Sequence, residues 1–422
     1  MEKRSDMQAL RDAVQFAEFR RLFPAAQDQV YCDVAARGPI SVAVRDAVMA
    51  HLGGRVAGRI DKTKYFDVIE ETRARFARLI NADPHEISFT KNVSDGINIV
   101  ANALPWLAGD NVVICKSLEH PANIFIWQSL AQTRDVIVRE VAPIDNAIPA
   151  DAILKAIDDR TRVVTVSSVS FSPGLRFPLA PISRVCRERG ILFLVDAAQS
   201  IGIVRTDVAA EMIDALAVST QKGLLALYGM GFLYVRRELA EKLRPAYLSR
   251  MGVDLGSAHE ASSGGEGVYR LATGARRFDV GNFNYVGAVA VNEALKELEA
   301  LGADQLQTYV FGLARQLAQR LERLGVPLIV SSSDSRMAHM VPIGYGIGAA
   351  HDSVDDPALF DLHNRLKAGG VCHTIRRGVL RLSFHAYNDL SDVERIAEIA
   401  EQWMREAGDI ALQDRPKARA SS

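Results

Sequence analysis

No cysteine pair in this chain has the spacing of a redox or zinc motif. Cys32, Cys115, Cys186 and Cys372 lie far apart, with no CxxC among them. That argues against a disulfide or zinc framework and for reduced thiols in a cytoplasmic protein, with no metal site expected. Neither charge is in excess: 50 Lys and Arg against 51 Asp and Glu leave a net charge of −1. No basic surface for nucleic acid or membrane follows from such a balance. The first residues, MEKRSDMQALRDAVQFAEFRR, carry charge throughout and lack the apolar core of a secretion signal. Long stretches poor in charge are confined to Leu216–Val235 and Asn92–Leu107, both too glycine-rich or polar to read as membrane spans. There is no internal repeat, low-complexity tract or coiled-coil pattern, so a structural-protein reading has little support.

What remains is a chain of 422 residues, 48% apolar and 24% charged, ordinary for a soluble globular protein of two or three domains. Short apolar runs read as strands at Ile87–Thr90, Asn111–Cys115, Val136–Val141, Arg162–Ser167, Ile191–Val195, Ala215–Ser219 and Gly231–Val235. Helical patterning falls between them, at Ser94–Leu104, Asn123–Gln132, Ala150–Ala156 and Ile182–Arg189, after earlier helical stretches at Ser41–His51 and Phe66–Asn81. This alternation predicts an α/β fold with a largely parallel sheet covered by helices. Residues 1–30 read as a helical lead-in, 31–285 as the large domain, 286–412 as a smaller α+β domain and 413–422 as a disordered tail. In the smaller domain, helices are expected at Gly287–Leu301, Leu306–Leu324, Pro357–Ala368 and Ser391–Ala407, with strands near Pro327–Val330, Val341–Gly344, Gly370–Ile375 and Val379–Phe384. Gly252–Gly267, rich in Gly and Ser, reads as a surface loop.

Lys222 is the one charge within Leu216–Val235. Burying an ammonium is costly unless it is paired or deprotonated, and a neutral lysine amine can form a Schiff base with a carbonyl. Asp196 follows the apolar run Ile191–Val195. An acid ending one buried strand and a lysine just after the next are what pyridoxal phosphate requires: an amine for the Schiff base and an acid on the ring nitrogen. The carboxyl end of a strand is also where ligands sit in open α/β sheets. The cofactor further needs a phosphate cradle, a partner for its ring face and a site for the substrate carboxylate. Asn92-Val93-Ser94-Asp95-Gly96, at a strand-to-helix junction, offers backbone N–H groups and a hydroxyl, and Ser219 and Gln221 add donors. His120 could stack on the ring or be structural. Arg381 could clamp a carboxylate or lie on an edge strand.

These residues resemble the class V aminotransferase family, fold type I pyridoxal phosphate enzymes that include cysteine desulfurases, isopenicillin N epimerase and kynureninase. The resemblance spans Tyr31 to Asn388. It rests on Tyr31–Ala36, Thr90–Asn98, Glu119–Asn123, Asp196–Gln199, Ser219–Gly231 and Arg381–Asn388. It implies a large domain with a mainly parallel seven-stranded sheet between helices, and a smaller C-terminal α+β domain. It gives His120 the ring face, Gln199 the phenolic oxygen, and Val93, Ser94, Ser219 and Gln221 the phosphate. Arg381, with Ala36 and Arg37, is implied to bind substrate. Asn282 is implied to reach the phosphate of a second copy, so a homodimer with shared sites is expected.

Departures from the pattern bear on the reaction. Gln221 stands where many relatives have His, Asn282 where desulfurases usually have Thr, and Phe171 where they usually have Asn. The stretch Gly370–Arg381 is too short for the loop that carries a desulfurase's persulfide cysteine, and Cys372 falls in an expected strand. Arg376 and Arg377 are further cations without an assigned role. The resulting expectation is an enzyme acting at the α-carbon of an amino acid through a Schiff base at Lys222. Transamination or epimerisation is favoured, an amino-acid β-lyase (a C–S lyase or a desulfurase-like enzyme) is the alternative, and a non-catalytic binding or regulatory module is more remote.

Overall fold

The computed structural model describes residues 14–59, 61–256, 269–348 and 352–407. They fall into two compact units. The larger comprises Ala43–Val169 and Phe177–Ala300, and the smaller Met1–Val42, Ser170–Arg176 and Leu301–Ser422, within the described residues.

The larger unit is built on seven strands: β1 (Ile87–Thr90), β2 (Asn111–Ile114), β3 (Ile137–Glu140), β4 (Thr161–Ser167), β5 (Leu192–Asp196), β6 (Ala215–Ser219) and β7 (Gly231–Val235). Their order across the sheet is β1-β7-β6-β5-β4-β2-β3. Every strand runs the same way except β7, which is antiparallel to both β1 and β6. Strands β1, β2, β5, β6 and β7 are buried at every residue. That is why they read as unbroken apolar runs and not as alternation. Edge strand β3 is half exposed and correspondingly mixed. The α/β expectation and the seven-stranded sheet both hold. β5 begins and ends one residue later than expected, which makes Asp196 its last residue.

Helices α1 (Lys62–Leu79), α2 (Val93–Ala103), α3 (Phe125–Arg134), α4 (Ala180–Arg189) and α5 (Tyr285–Leu301) accompany this sheet. α1 starts earlier than its apolar pattern suggested because the Asp61 side chain accepts from the N–H groups of Thr63 and Lys64. Gly96 lets α2 lie close on the sheet: a Cβ there would be 2.9 Å from the Ala217 Cβ. Under α1, buried Arg73 donates to Ile87 O and pairs with Asp279 at 2.9 Å. Asp279 in turn accepts from Ser88 Oγ and Phe89 N, which fixes the segment leading to Asn282 against β1.

In the smaller unit, β8 (Met340–Ile343), β9 (Thr374–Arg376) and β10 (Val379–Ser383) form an antiparallel sheet in the order β8-β10-β9. Val30–Tyr31 pairs in parallel with Val371–Cys372, and Asp33 bridges to Ser383. Helices α6 (Ala303–Arg323), α7 (Pro357–Ala368) and α8 (Leu390–Ala407) lie where their patterns placed them. The lead-in is helical over residues 14–21 and Pro24–Asp28, with Phe16 stacked on Tyr309 at 3.8 Å.

Two expectations are corrected. Pro327–Val330 forms only an isolated bridge, Leu328 to Ile343. The expected loop Gly252–Gly267 opens with a strand instead, Val253–Asp254 paired to Arg270–Leu271. The rest of that loop from residue 257, and the tail 413–422, lie outside the described residues.

Candidate active site

The carboxyl edge of the large sheet collects most of the residues singled out above. Asp196, 3% exposed, closes β5 in register with Ser167 of β4 and Ala217 of β6. Ala198 N–H donates to its Oδ1 at 2.9 Å. Burial raises the Asp196 pKa, while the Ala198 N–H and the charge of Lys222 pull it back. Lys222 therefore lies within electrostatic reach of Asp196, as the spacing of the two segments suggested.

Lys222 is carried by the β6–β7 connection, which is tied to itself. Leu225 N–H donates to Lys222 O, Ala226 N–H to Thr220 O, and Thr220 Oγ1 to Leu227 O. Leu225 is held at φ +52°, a strained conformation for a branched side chain. The loop after Asp196 presses directly on it. A Cβ at Gly223 would stand 2.3 Å from Ile201 O, and one at Gly202, where φ is +89°, 2.1 Å from Gly223 O. Only glycines allow these two backbones to meet, so the Asp196 and Lys222 loops are locked to each other.

Beside them stands the N-terminus of α2. Asn92 caps it, accepting from Asp95 N–H at 2.9 Å. Val93 N–H donates to Ser219 Oγ at 2.8 Å, so Ser219 is already engaged with the helix end. Ser94 is half-buried in the first turn, as is Gln221 next to Lys222. Thr90 Oγ1 is buried without a hydrogen-bond partner, and sequence reasoning did not single it out. Asn282 sits on an exposed turn, lining a cavity of about 410 Å³ together with Thr90, Lys91 and Asp95.

His120 follows β2 and is half-buried, with Nδ1 accepting from Ala122 N–H at 3.1 Å. Its neighbour Glu119 was missed by sequence reasoning. It is 4% exposed and accepts three hydrogen bonds: from Ser167 N (2.7 Å), Ser167 Oγ (2.5 Å) and Asn123 Nδ2 (2.9 Å). An acid directly before a histidine, after a fully buried strand, was the available signal. Gln199 is buried three residues beyond Asp196.

The remaining candidates belong to the smaller unit. Arg381, 1% exposed, donates from Nη1 to Phe171 O and from Nη2 to Thr374 Oγ1, and its guanidinium lies 5.3 Å from the Phe171 ring centroid. Its Nε is buried without a partner, and burial lowers its pKa to about 10. Asp33, also buried, is hydrogen-bonded by Thr374 and has an unpartnered Oδ1; burial raises its pKa. It is the second residue that sequence reasoning overlooked. The N–H groups of Ala36 and Arg37 donate to Asp33 O, and the Arg37 side chain is exposed. Arg376 pairs with exposed Asp352 at 2.5 Å, and Arg377 turns the chain between β9 and β10 at φ +53°. Cys372 lies in a strand paired with Tyr31, where burial raises its thiol pKa. That is the reverse of what an activated thiolate needs.

The sheet order, and a lysine-bearing loop locked against a buried acid at its carboxyl edge, are those of a pyridoxal phosphate-dependent enzyme. The chain belongs to the class-V aminotransferase family, whose model matches residues 30–396. It is 30% identical to a probable cysteine desulfurase of Methanothermobacter thermautotrophicus, covering 91% of this chain and 97% of the relative. It is 29% identical to an uncharacterized aminotransferase of Bacillus subtilis with the same coverage. Among solved structures, the apo cysteine desulfurase of Thermococcus onnurineus superposes with a TM-score of 0.79 at 23% identity, covering 92% of this chain and 98% of that one. The cystine C–S lyase C-DES, solved with its product cysteine persulfide, also gives 0.79 at 23% identity, with 90% and 99% coverage. Likeness at that identity speaks for the fold.

Proposed function

We propose that this enzyme acts at the α-carbon of an amino acid, using Lys222 as the amine that holds pyridoxal phosphate and as the group that moves the α-proton. The observation that carries this reading is buried Asp196 at the end of β5, within the field of Lys222 on a loop locked against its own. The edge also suits the phosphate: buried Thr90 Oγ1 lacks a partner, and the α2 N-terminus presents backbone N–H groups beside it.

Bound pyridoxal phosphate supplies a carbonyl carbon for amines and an electron-withdrawing ring. Asp196 holds a proton at the ring nitrogen, and its burial strengthens that pairing. Val93, Ser94, Ser219 and Gln221 serve the phosphate, joined by Asn282 from a second copy in a homodimer. His120 covers the ring face, and Gln199 donates to the phenolic oxygen. Arg381, with an unsatisfied donor, takes the substrate carboxylate near Ala36 and Arg37. Lys222, as a free amine, would be the base that takes the substrate's α-proton and the acid that returns it.

Transamination or epimerisation is the favoured outcome, because the stretch Gly370–Arg381 is too short for a desulfurase's cysteine loop, and Cys372, in a strand with its thiol pKa raised, does not replace it. β-Elimination is the second reading, supported by relatives named as desulfurases. The division expected at 31–285 and 286–412 differs from the two compact units, which give residues 31–42 and Ser170–Arg176 to the smaller unit and residues 286–300 to the larger; the location is assigned to the cytoplasm. The test begins with reconstitution. Wild-type protein should bind the cofactor with a visible chromophore that borohydride bleaches and Lys222→Ala lacks. A wild type that stays colourless sinks the proposal. NMR of an amino-acid panel in deuterated buffer then separates the outcomes: α-deuteration with inversion, keto acid with an aminated acceptor, or pyruvate with ammonia or sulfide.

A further inference from the structure

We infer that Glu119 is a positioning residue that backs Asp196, placing a second carboxylate behind the ring nitrogen's partner and anchoring the turn that carries His120. This rests on the pyridoxal phosphate reading above and extends it to a residue with no assigned role. The geometry comes from the sheet. Ser167 and Asp196 are register partners on adjacent parallel strands, so their side chains share one face. Ser167 gives both its N–H and its hydroxyl to Glu119. The Glu119 carboxylate is therefore parked one strand away from Asp196, on the same edge.

The network has no slack. Asn123 Nδ2 donates to Glu119, while Asn123 Oδ1 accepts from Trp127 Nε1 (3.1 Å) and Thr165 Oγ1 (2.9 Å). With its oxygen doubly used, the Asn123 amide cannot turn over, and it presents N–H to Glu119. Every partner of Glu119 is thus a donor at present, an arrangement that suits the ionised form. Burial and the nearby Asp196 charge work the other way and raise its pKa to about 7. Among the described residues, Asp196 and Cys115 (whose thiol feels both Glu119 and Glu140) share this field, His120 adjoins Glu119 in sequence, and Lys222 acts on Asp196. Two carboxylates so placed repel each other, and their combined negative charge favours a cation beside them. A protonated ring nitrogen against Asp196 is that cation. Glu119 should therefore make the ring hold its proton more tightly than Asp196 alone could.

The experiment is a pH titration of the bound chromophore. Glu119→Gln keeps the volume and removes the charge, at the local cost of setting its amide N–H against a donor; it should retain cofactor and move the titration midpoint down by about one pH unit. Trp127→Phe disturbs the same network without changing charge and should leave the midpoint in place. An unmoved midpoint in Glu119→Gln, or an equal shift in Trp127→Phe, overturns the inference while a coloured wild type leaves the parent reading standing. A colourless wild type overturns both. If Glu119→Gln does not fold, Ser167→Ala decides. It keeps the carboxyl but removes a donor that holds it ionised, so the midpoint should fall by a smaller amount, and no change refutes the assignment.

Discussion

Replacing Arg381 with methionine should leave the fold intact while removing turnover, and the structure sets the size of both effects. The guanidinium is 1% exposed, and burial, aided by the like charge of Arg376, lowers its pKa to about 10. The folded state thus holds this proton less tightly than the unfolded chain, whose arginine has its ordinary value. Below about pH 10 the charge weighs against folding by about 3 kcal/mol, constant across the neutral range. Opposing it are the bonds to Phe171 O and Thr374 Oγ1 and the Phe171 ring under the guanidinium, together worth about 3–5 kcal/mol. The terms nearly cancel, so Arg381→Met should move Tm by no more than about 4 °C. Function should respond differently. Two charge-assisted bonds to a substrate carboxylate are worth about 3–6 kcal/mol, so kcat/KM should fall by about 10²–10⁴-fold. Calorimetry and steady-state kinetics on any amino acid turned over by the wild type check the two halves. A kcat/KM within about tenfold of wild type, or a Tm lowered by more than about 10 °C, would refute the reasoning.

Three further perturbations follow from buried groups. His339 has both ring nitrogens buried without partners, and burial lowers its pKa to about 3. The unfolded chain takes up that proton first, so stability is full above about pH 6.5 and falls by on the order of 4–5 kcal/mol as pH drops toward 3. His339→Leu should flatten that limb of a Tm–pH curve, and an unchanged slope speaks against it. Asp279→Ala removes the buried partner of Arg73, itself 1% exposed, and leaves it only the exposed carboxylate of Glu70 at 3.5 Å, so it should cost about 3 kcal/mol in urea unfolding; a loss under about 1 kcal/mol contradicts the burial argument. Gly223→Ala must push the Lys222 and Asp196 loops apart, so bound cofactor per chain should drop at least tenfold. Full occupancy would show that the contact does not matter.

Much of the large sheet was legible because its strands are buried on both faces. Apolar runs such as Ala215–Ser219 and Gly231–Val235 coincide with their strands. Lys222 and Asp196 stood out as charges interrupting such runs. Glu119 did not, since an acid beside a histidine looks like an ordinary solvated pair until Ser167 and Asn123 are seen to enclose it. Asp33 was hidden similarly: its burial depends on Ser383 and Thr374, far away in the chain. The pairing of Val253–Asp254 with Arg270–Leu271 was invisible because strands of two residues carry no periodicity. Pro327–Val330 had the composition of a strand and found only one bridging partner.

The pairing of Val30–Tyr31 with Val371–Cys372 has a temporal meaning. Ser383 Oγ donates to Cys32 O across 351 positions of sequence. On a ribosome adding about 10 residues per second, the first of these segments waits roughly half a minute for its partner to be made. The seven strands of the large sheet are all translated within that interval. The smaller unit, which owns Arg381 and Asp33, can close only when synthesis is nearly complete. Nascent chains should accordingly be able to assemble the sheet that carries Lys222 well before Arg381 has been translated, and Val30–Asp33 would stay open to chaperones throughout that wait.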